Sequence, residues 1–178
     1  LKPGQKLGDI LGTHSWDAYS RMADVLKLVD FSSCKSYIIA GCGKLPASLF
    51  YLHDFTNVPR LVGIDNDRAA FEGACEIVNH FGLQDRIEIR HADGADFDYS
   101  EFDVIYWGPF ANPRLKVMES LLATAKKDSV IILRDPFHTG TLSNDRVLES
   151  LDARFEVCSV SSEHPGRFML KHYILKLR

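Results

Sequence analysis

The sequence predicts an α/β protein, with a seven-stranded, mostly parallel sheet, helices on both faces and a C-terminal antiparallel hairpin. Two observations carry that expectation. Strand-like and helix-like segments alternate at short spacing from Ser36 to about Leu151, and crossover helices are what join parallel neighbours. Beyond Leu151, "RFEVCSVSSEHPGRFMLKHYILKLR" reads as two strands meeting across His164, Pro165 and Gly166, a hairpin rather than another crossover.

Taken in order, "SWDAYSRMADVLKLV" sets Trp16, Tyr19, Met22 or Ala23, and Leu26 on one stripe behind Ser15, a helix-capping residue type, so a helix precedes the sheet. Parallel strands are expected at 36–40, 60–65, 87–91, 102–107 and 129–134, each apolar or β-branched and closed by Gly, Asp or Pro. Helices are expected between them. Pro46 to Phe55 follows the first strand. Asn66 to Phe81 follows the second, with Ala70, Phe71, Ala74, Cys75, Ile77, Val78 and Phe81 on one face. Pro113 to Ala125 repeats the pattern with Leu115, Met118, Leu121 and Leu122, and Ser143 to Leu151 makes a shorter helix. The plan is Rossmann-like, one domain over 1–178, with 1–35 as an N-terminal helical lid and 36–178 as the core.

Composition narrows the partners. Hydrophobic residues make up 46% and charged residues 25% of 178 residues, as in soluble globular proteins. No apolar run approaches the roughly 18 residues of a membrane span, so no membrane partner is expected. With a net charge of -3 and scattered Lys and Arg there is no basic stripe for a phosphate backbone, so nucleic acid is not expected either. Cys34, Cys42, Cys75 and Cys158 lie far apart, signalling neither a zinc site nor a disulfide framework, and point to reduced thiols in a cytoplasm. The chain opens on Leu1 and lacks a basic-then-apolar leader, so a trimmed start and no secretion signal are expected.

The stretch "IIAGCGKLPASLF" carries the chemistry. Gly41 and Gly43 follow the first strand, where an open parallel sheet receives its ligand. Glycines permit a tight turn and leave the backbone open to close approach. A dinucleotide turn lays pyrophosphate on the N–H groups that begin the helix and packs that helix with a third glycine. Leu45 and Pro46 occupy that region here, and proline removes one of the donors. The turn therefore suits a nucleoside ligand without phosphate, and S-adenosylmethionine is the first candidate. Asp65 closes the second strand in "RLVGIDND", 22 residues after Gly43, where a carboxylate can accept from both ribose hydroxyls. Asp93, between Ala92 and Gly94 in "IEIRHADGADFD", can accept from an adenine amine while its small neighbours leave room for a flat ring.

These motifs resemble class I S-adenosylmethionine-dependent methyltransferases over roughly residues 36 to 178. The resemblance implies that Gly41 and Gly43 face the cofactor's methionine part, that Asp65 faces the ribose and that Asp93 faces the adenine, with Cys42, Asn66, Gly94 and Trp107 also expected to bind the cofactor. It sets Tyr106 to Gly108 beside the sulfonium. Two departures stand out: Ile39 occupies the place of the family's usual acidic residue, and the third glycine is missing. A narrower likeness is to nicotianamine synthases, whose turn also reads Gly-x-Gly-x-Leu-Pro. "GCGKLP", "GIDND" and "VIILRD" are in step with it. It implies transfer of the cofactor's aminocarboxypropyl chain in place of its methyl group.

Methyl transfer needs a positioned donor and acceptor and, for some acceptors, a base. The expected acceptor is a small molecule. Its pocket is drawn from the N-terminal helix, the loops "YWGPFANP" and "RDPFHTGT", and a second subunit if the chain is a homodimer. Tyr106 and His138 are the catalytic candidates, imidazole titrating near pH 6.5 when unperturbed. Trp107 and Phe110 either wall the pocket, holding the sulfonium with roughly 0.5–2 kcal/mol of cation–π attraction, or belong to the core. Trp16 and Tyr19 either lid the site or pack on the sheet. Asp65 has helix capping with Asn66 as its rival role, Asp93 the capping of a short helix, and His138 an ordinary surface position. Arg134 either meets a substrate carboxylate or pairs near Asp135. No metal site is expected.

Overall fold

"SYIIA", Ser36–Ala40 (β1), is buried along its whole length because it lies mid-sheet, with a strand on each side and side chains packed on both faces. The computed structural model describes residues 6–10, 22–109, 111–135, 153–161 and 171–178. A 3-10 turn, Leu7–Asp9, and helix α1, Met22–Leu28, precede β1. After it come α2 (Ala47–Phe55), β2 (Arg60–Asp65), α3 (Arg68–His80), β3 (Ile87–His91), β4 (Val104–Trp107), α4 (Arg114–Thr124), β5 (Val130–Asp135), β6 (Phe155–Val160) and β7 (Lys171–Leu177). The seven strands form one sheet in the order β3-β2-β1-β4-β5-β7-β6. The first five are parallel, and β7 pairs antiparallel with both β5 and β6. The register of β6 against β7 shifts between Val157 and Ser159.

Period-two alternation splits the core into two layers. Tyr37, Ile39, Tyr106, Ile132 and Ile174 face the layer containing Leu49, Phe50 and Leu52 of α2 and Val78 of α3. Ile38, Ala40, Ile105, Trp107, Ile131 and Leu133 face the layer containing Val117, Met118 and Leu121 of α4.

Element ends differ from the sequence reading in ways the side chains explain. Pro46 is the N-cap of α2 and not its first residue; its carbonyl accepts from the N–H groups of Leu49 and Phe50 at 3.0 and 3.2 Å. The second crossover helix starts at Arg68 and not Asn66, because Asp67 is its cap, accepting from the N–H groups of Ala69 and Ala70 at 2.8 and 3.3 Å. The fourth strand begins at Val104 and not 102. In α4, Leu115 is 41% exposed, and the inward face is Arg114, Val117, Met118 and Leu121. The expected helix Ser143–Leu151, the turn at His164 to Gly166, and Ser15, Trp16, Tyr19, Phe110 and His138 lie outside the described residues.

All four cysteines are free. Among the described residues no helix is long and apolar enough to cross a membrane, and no group of three His, Cys, Asp or Glu is placed to hold a metal.

Candidate functional site

The order of strands reverses between β1 and β4, which opens a crevice beyond their carboxyl ends. The turn after β1 forms its floor. Gly41 and Gly43 have φ of +77° and +68°, a region that side-chain-bearing residues adopt only at a cost. The turn's N–H groups point back into the protein: those of Gly41 and Cys42 donate to the carbonyl of Ile64 at 2.9 and 3.0 Å, and that of Gly43 donates to Asp65 Oδ2 at 2.8 Å. Three successive donors that a phosphate-binding turn presents to its ligand are therefore engaged by β2.

Asp65 and Asp93 stand over this floor, each half engaged. Asp65 Oδ1 accepts from the Asp67 N–H at 3.1 Å, so each oxygen of this carboxylate holds one protein donor and keeps acceptor capacity for a ligand. Asp93 Oδ1 accepts from the Ala95 N–H at 2.9 Å, and its Oδ2 accepts from Asn66 Nδ2 at 3.3 Å. That last bond joins the tips of β2 and β3. Tyr99 supports the loop from below, donating to the Gly94 carbonyl at 2.9 Å. Its phenol is held neutral, its pKa raised by burial first and by Asp93 second.

Two cavities meet at the glycine turn. One, of about 240 Å³, is lined by Gly41, Gly43, Asp65, Asn66, Asp93 and Gly94, with Ala92, Ala111 and Val117 as small apolar walls. The other, of about 230 Å³, shares Gly41 and Gly43 and extends past Cys42, Ser48, Tyr106 and Pro109 to Arg134, with Met22 and Ile39 as apolar walls. Together they fall within the roughly 300–1,000 Å³ of small-ligand sites. A larger groove of about 740 Å³ lies among residues 27–32 and 55–57, at the amino ends of the strands, away from the converging carboxylates.

No protein-family profile and no curated protein matches the chain. Solved structures do. MtNAS in complex with MTA and tNA aligns over 93% of this chain and 62% of that one, at 16% identity and a TM-score of 0.75. A mutant of MtNAS in complex with S-adenosylmethionine aligns over 91% and 62%, at 16% identity and 0.73. The mitomycin 7-O-methyltransferase MmcR aligns over 91% and 54%, at 15% identity and 0.69. A candidate tRNA methyltransferase from Streptococcus pneumoniae aligns over 88% and 69%, at 17% identity and 0.66. The chain has the fold shared by S-adenosylmethionine-dependent methyltransferases and nicotianamine synthase. It spans about three fifths of MtNAS and just over half of MmcR.

Within this fold, the structure brings Gly41, Gly43, Asp65, Asn66, Asp93 and Gly94 together around one cavity. Cys42 and Tyr106 line the other. The Cys42 thiol is pushed up to about 12 by burial and then by Asp65, which leaves it a neutral wall. Tyr106 is buried, and its hydroxyl is 2.9 Å from His172 Nε2. Trp107 corrects the sequence reading: it is fully buried in the α4 layer and lines neither cavity. Neighbours along a strand point to opposite faces, so Tyr106 and Trp107 cannot share a wall. The Trp107 ring lies under the Arg114 guanidinium, 4.9 Å from its centroid.

Some contributors were not anticipated. Val117 faces the first cavity and His172 backs the second, and neither sits in a recognisable motif, whereas Ala111 lies on the loop expected to form the pocket. Arg114, fully buried, donates to the carbonyls of Gly108 at 3.0 Å, Pro109 at 3.2 Å and Arg134 at 3.4 Å, fastening the loop after β4 to the tip of β5.

Proposed function

We propose that this chain is an S-adenosylmethionine-dependent transferase, with methyl transfer to a small molecule as the leading reaction. The observation that carries the reading is the pairing of two half-engaged carboxylates, Asp65 and Asp93, with a glycine turn whose donors are already engaged. Such a cavity favours hydroxyl and amine donors and offers little to phosphate. S-adenosylmethionine fits it, having a ribose and an adenine but no phosphate. Asp65 would hold the ribose, Asp93 the adenine amine, and Ala92, Gly94, Ala111 and Val117 the faces of the purine. When bound, the cofactor supplies a carbon already activated by a sulfonium. The chain's own part is to orient that carbon toward the second cavity and exclude water with the apolar walls given by Met22 and Ile39. Tyr106, braced by His172, is the hydroxyl positioned there to hold or move a proton.

A second reading is transfer of the aminocarboxypropyl chain. It is favoured by the Gly-x-Gly-x-Leu-Pro turn and by the likeness to MtNAS. Mass spectrometry of an incubation with S-adenosylmethionine and a panel of small acceptors separates the two. Methyl transfer leaves S-adenosylhomocysteine and a product in which one methyl has replaced a hydrogen, while chain transfer leaves 5′-methylthioadenosine. A panel member of tRNA tests the acceptor class, and turnover on tRNA alone contradicts a small-molecule acceptor. Binding of nucleoside without either product assigns a non-catalytic binding module instead.

A further inference from the structure

The second cavity contains a cation that the proposed reaction does not use. Arg134, near the end of β5, lines it, and its Nε is buried without a hydrogen-bond partner among the described residues. A guanidinium stays charged at any physiological pH and presents five donors in a planar fork. Around it the cavity offers Met22, Ile39 and Leu45, the neutral thiol of Cys42, and the Tyr106 hydroxyl; none of the described lining residues is acidic. A buried donor of this kind lacks only an anionic acceptor, and the shape that matches its fork is a carboxylate.

We propose that Arg134 is the receptor for a carboxylate in this cavity. This rests on the reading of the cavity as the acceptor side of a transferase. Two carboxylates have the right chemistry, one on the acceptor and one at the amino acid end of S-adenosylmethionine. Strand order favours the acceptor. From β1 the sheet runs to β4 and then β5, so the tip bearing Arg134 lies about 10 Å beyond the glycine turn, on the side opposite the carboxylates of β2 and β3. The acceptor is then a small carboxylic acid, or an amino acid, whose carboxylate docks on Arg134 and whose nucleophile lies back toward Gly41 and Tyr106.

Calorimetry on the wild type, Arg134→Met and Arg134→Lys tests this with three probes: S-adenosylhomocysteine, 5′-methylthioadenosine, which lacks the amino acid end, and benzoate, titrated with and without methylthioadenosine. If the carboxylate is the acceptor's, benzoate binds the wild type and weakens about tenfold or more in Arg134→Met, with both nucleosides unchanged. If it is the cofactor's, S-adenosylhomocysteine weakens by that factor and methylthioadenosine does not. Either result supports the receptor. The proposal is overturned if Arg134→Met melts like the wild type and binds all three probes alike, or if benzoate ignores the wild type while both nucleosides ignore the substitution. Should Arg134→Met fail to fold, Arg134→Lys keeps the charge without the fork, and unchanged binding of every probe overturns the proposal. A wild type that binds neither nucleoside sinks the transferase reading, and benzoate alone then still tests Arg134.

Discussion

The carboxylate of Asp65 takes the Gly43 N–H on one oxygen and the Asp67 N–H on the other, so the residue proposed to hold ribose also sets the shape of the turn beneath it. Removing it acts on both. Asp65→Ala is expected to lower affinity for 5′-methylthioadenosine by roughly 100-fold, about 3 kcal/mol, the scale of two hydrogen bonds to a charged acceptor. Calorimetry checks this, with Asp65→Asn separating charge from shape: it retains one acceptor and is expected to lose less. The position of Asp65 beside the glycine turn was legible in the sequence, because an acid closing a strand at a set distance from such a turn is a local signal. The engagement of the turn's N–H groups by Ile64 and Asp65 was not legible, since it depends on how β1 and β2 align in space.

Among the elements, β4 best marks where sequence reading stops. All four residues of "VIYW" are buried, so hydrophobicity carries no phase and cannot say which side chain faces the site. Tyr106 goes to one layer and Trp107 to the other. The same ambiguity hid Arg114, since a charged residue opening a helix reads as solvated. It is instead fully buried, its guanidinium over the Trp107 ring and its donors on three carbonyls. Arg114→Met, which keeps the volume and strands those carbonyls, is expected to destabilise the protein by about 3 kcal/mol in urea unfolding. It is also expected to weaken nucleoside binding, because Ala111 sits on the loop that Arg114 fastens. Unchanged stability would contradict this role.

Across the whole molecule, the two ends of the sheet have separate duties. The alternation of strands and crossovers, and the switch to a terminal hairpin, were legible because most strands are short apolar or alternating runs; the order β3-β2-β1-β4-β5-β7-β6 is a long-range property that no local window carries. At the amino ends, Asp103 accepts from the N–H groups of Lys35 and Ser36 at 2.9 and 3.1 Å and from Lys126 Nζ at 2.9 Å. Burial opposes its ionisation, but Lys126 and these donors together hold its pKa below the ordinary 3.8. The unfolded chain therefore binds a proton at higher pH than the folded one, so this contribution is fully present above about pH 5 and is lost as pH falls below 4 toward the folded pKa. The melting temperatures of the wild type and Asp103→Asn should differ above pH 5 and converge on acidification, with nucleoside affinity at pH 7 unchanged, since Asp103 lies at the end away from the site. At the carboxyl ends, the proposed function turns on a cradle for a nucleoside without phosphate. The most direct measurement is a calorimetric comparison of 5′-methylthioadenosine and S-adenosylhomocysteine with AMP and NADH on the wild-type protein. The first two should bind, and AMP and NADH should bind at least about tenfold more weakly or not at all; AMP or NADH binding as well as methylthioadenosine would contradict the account.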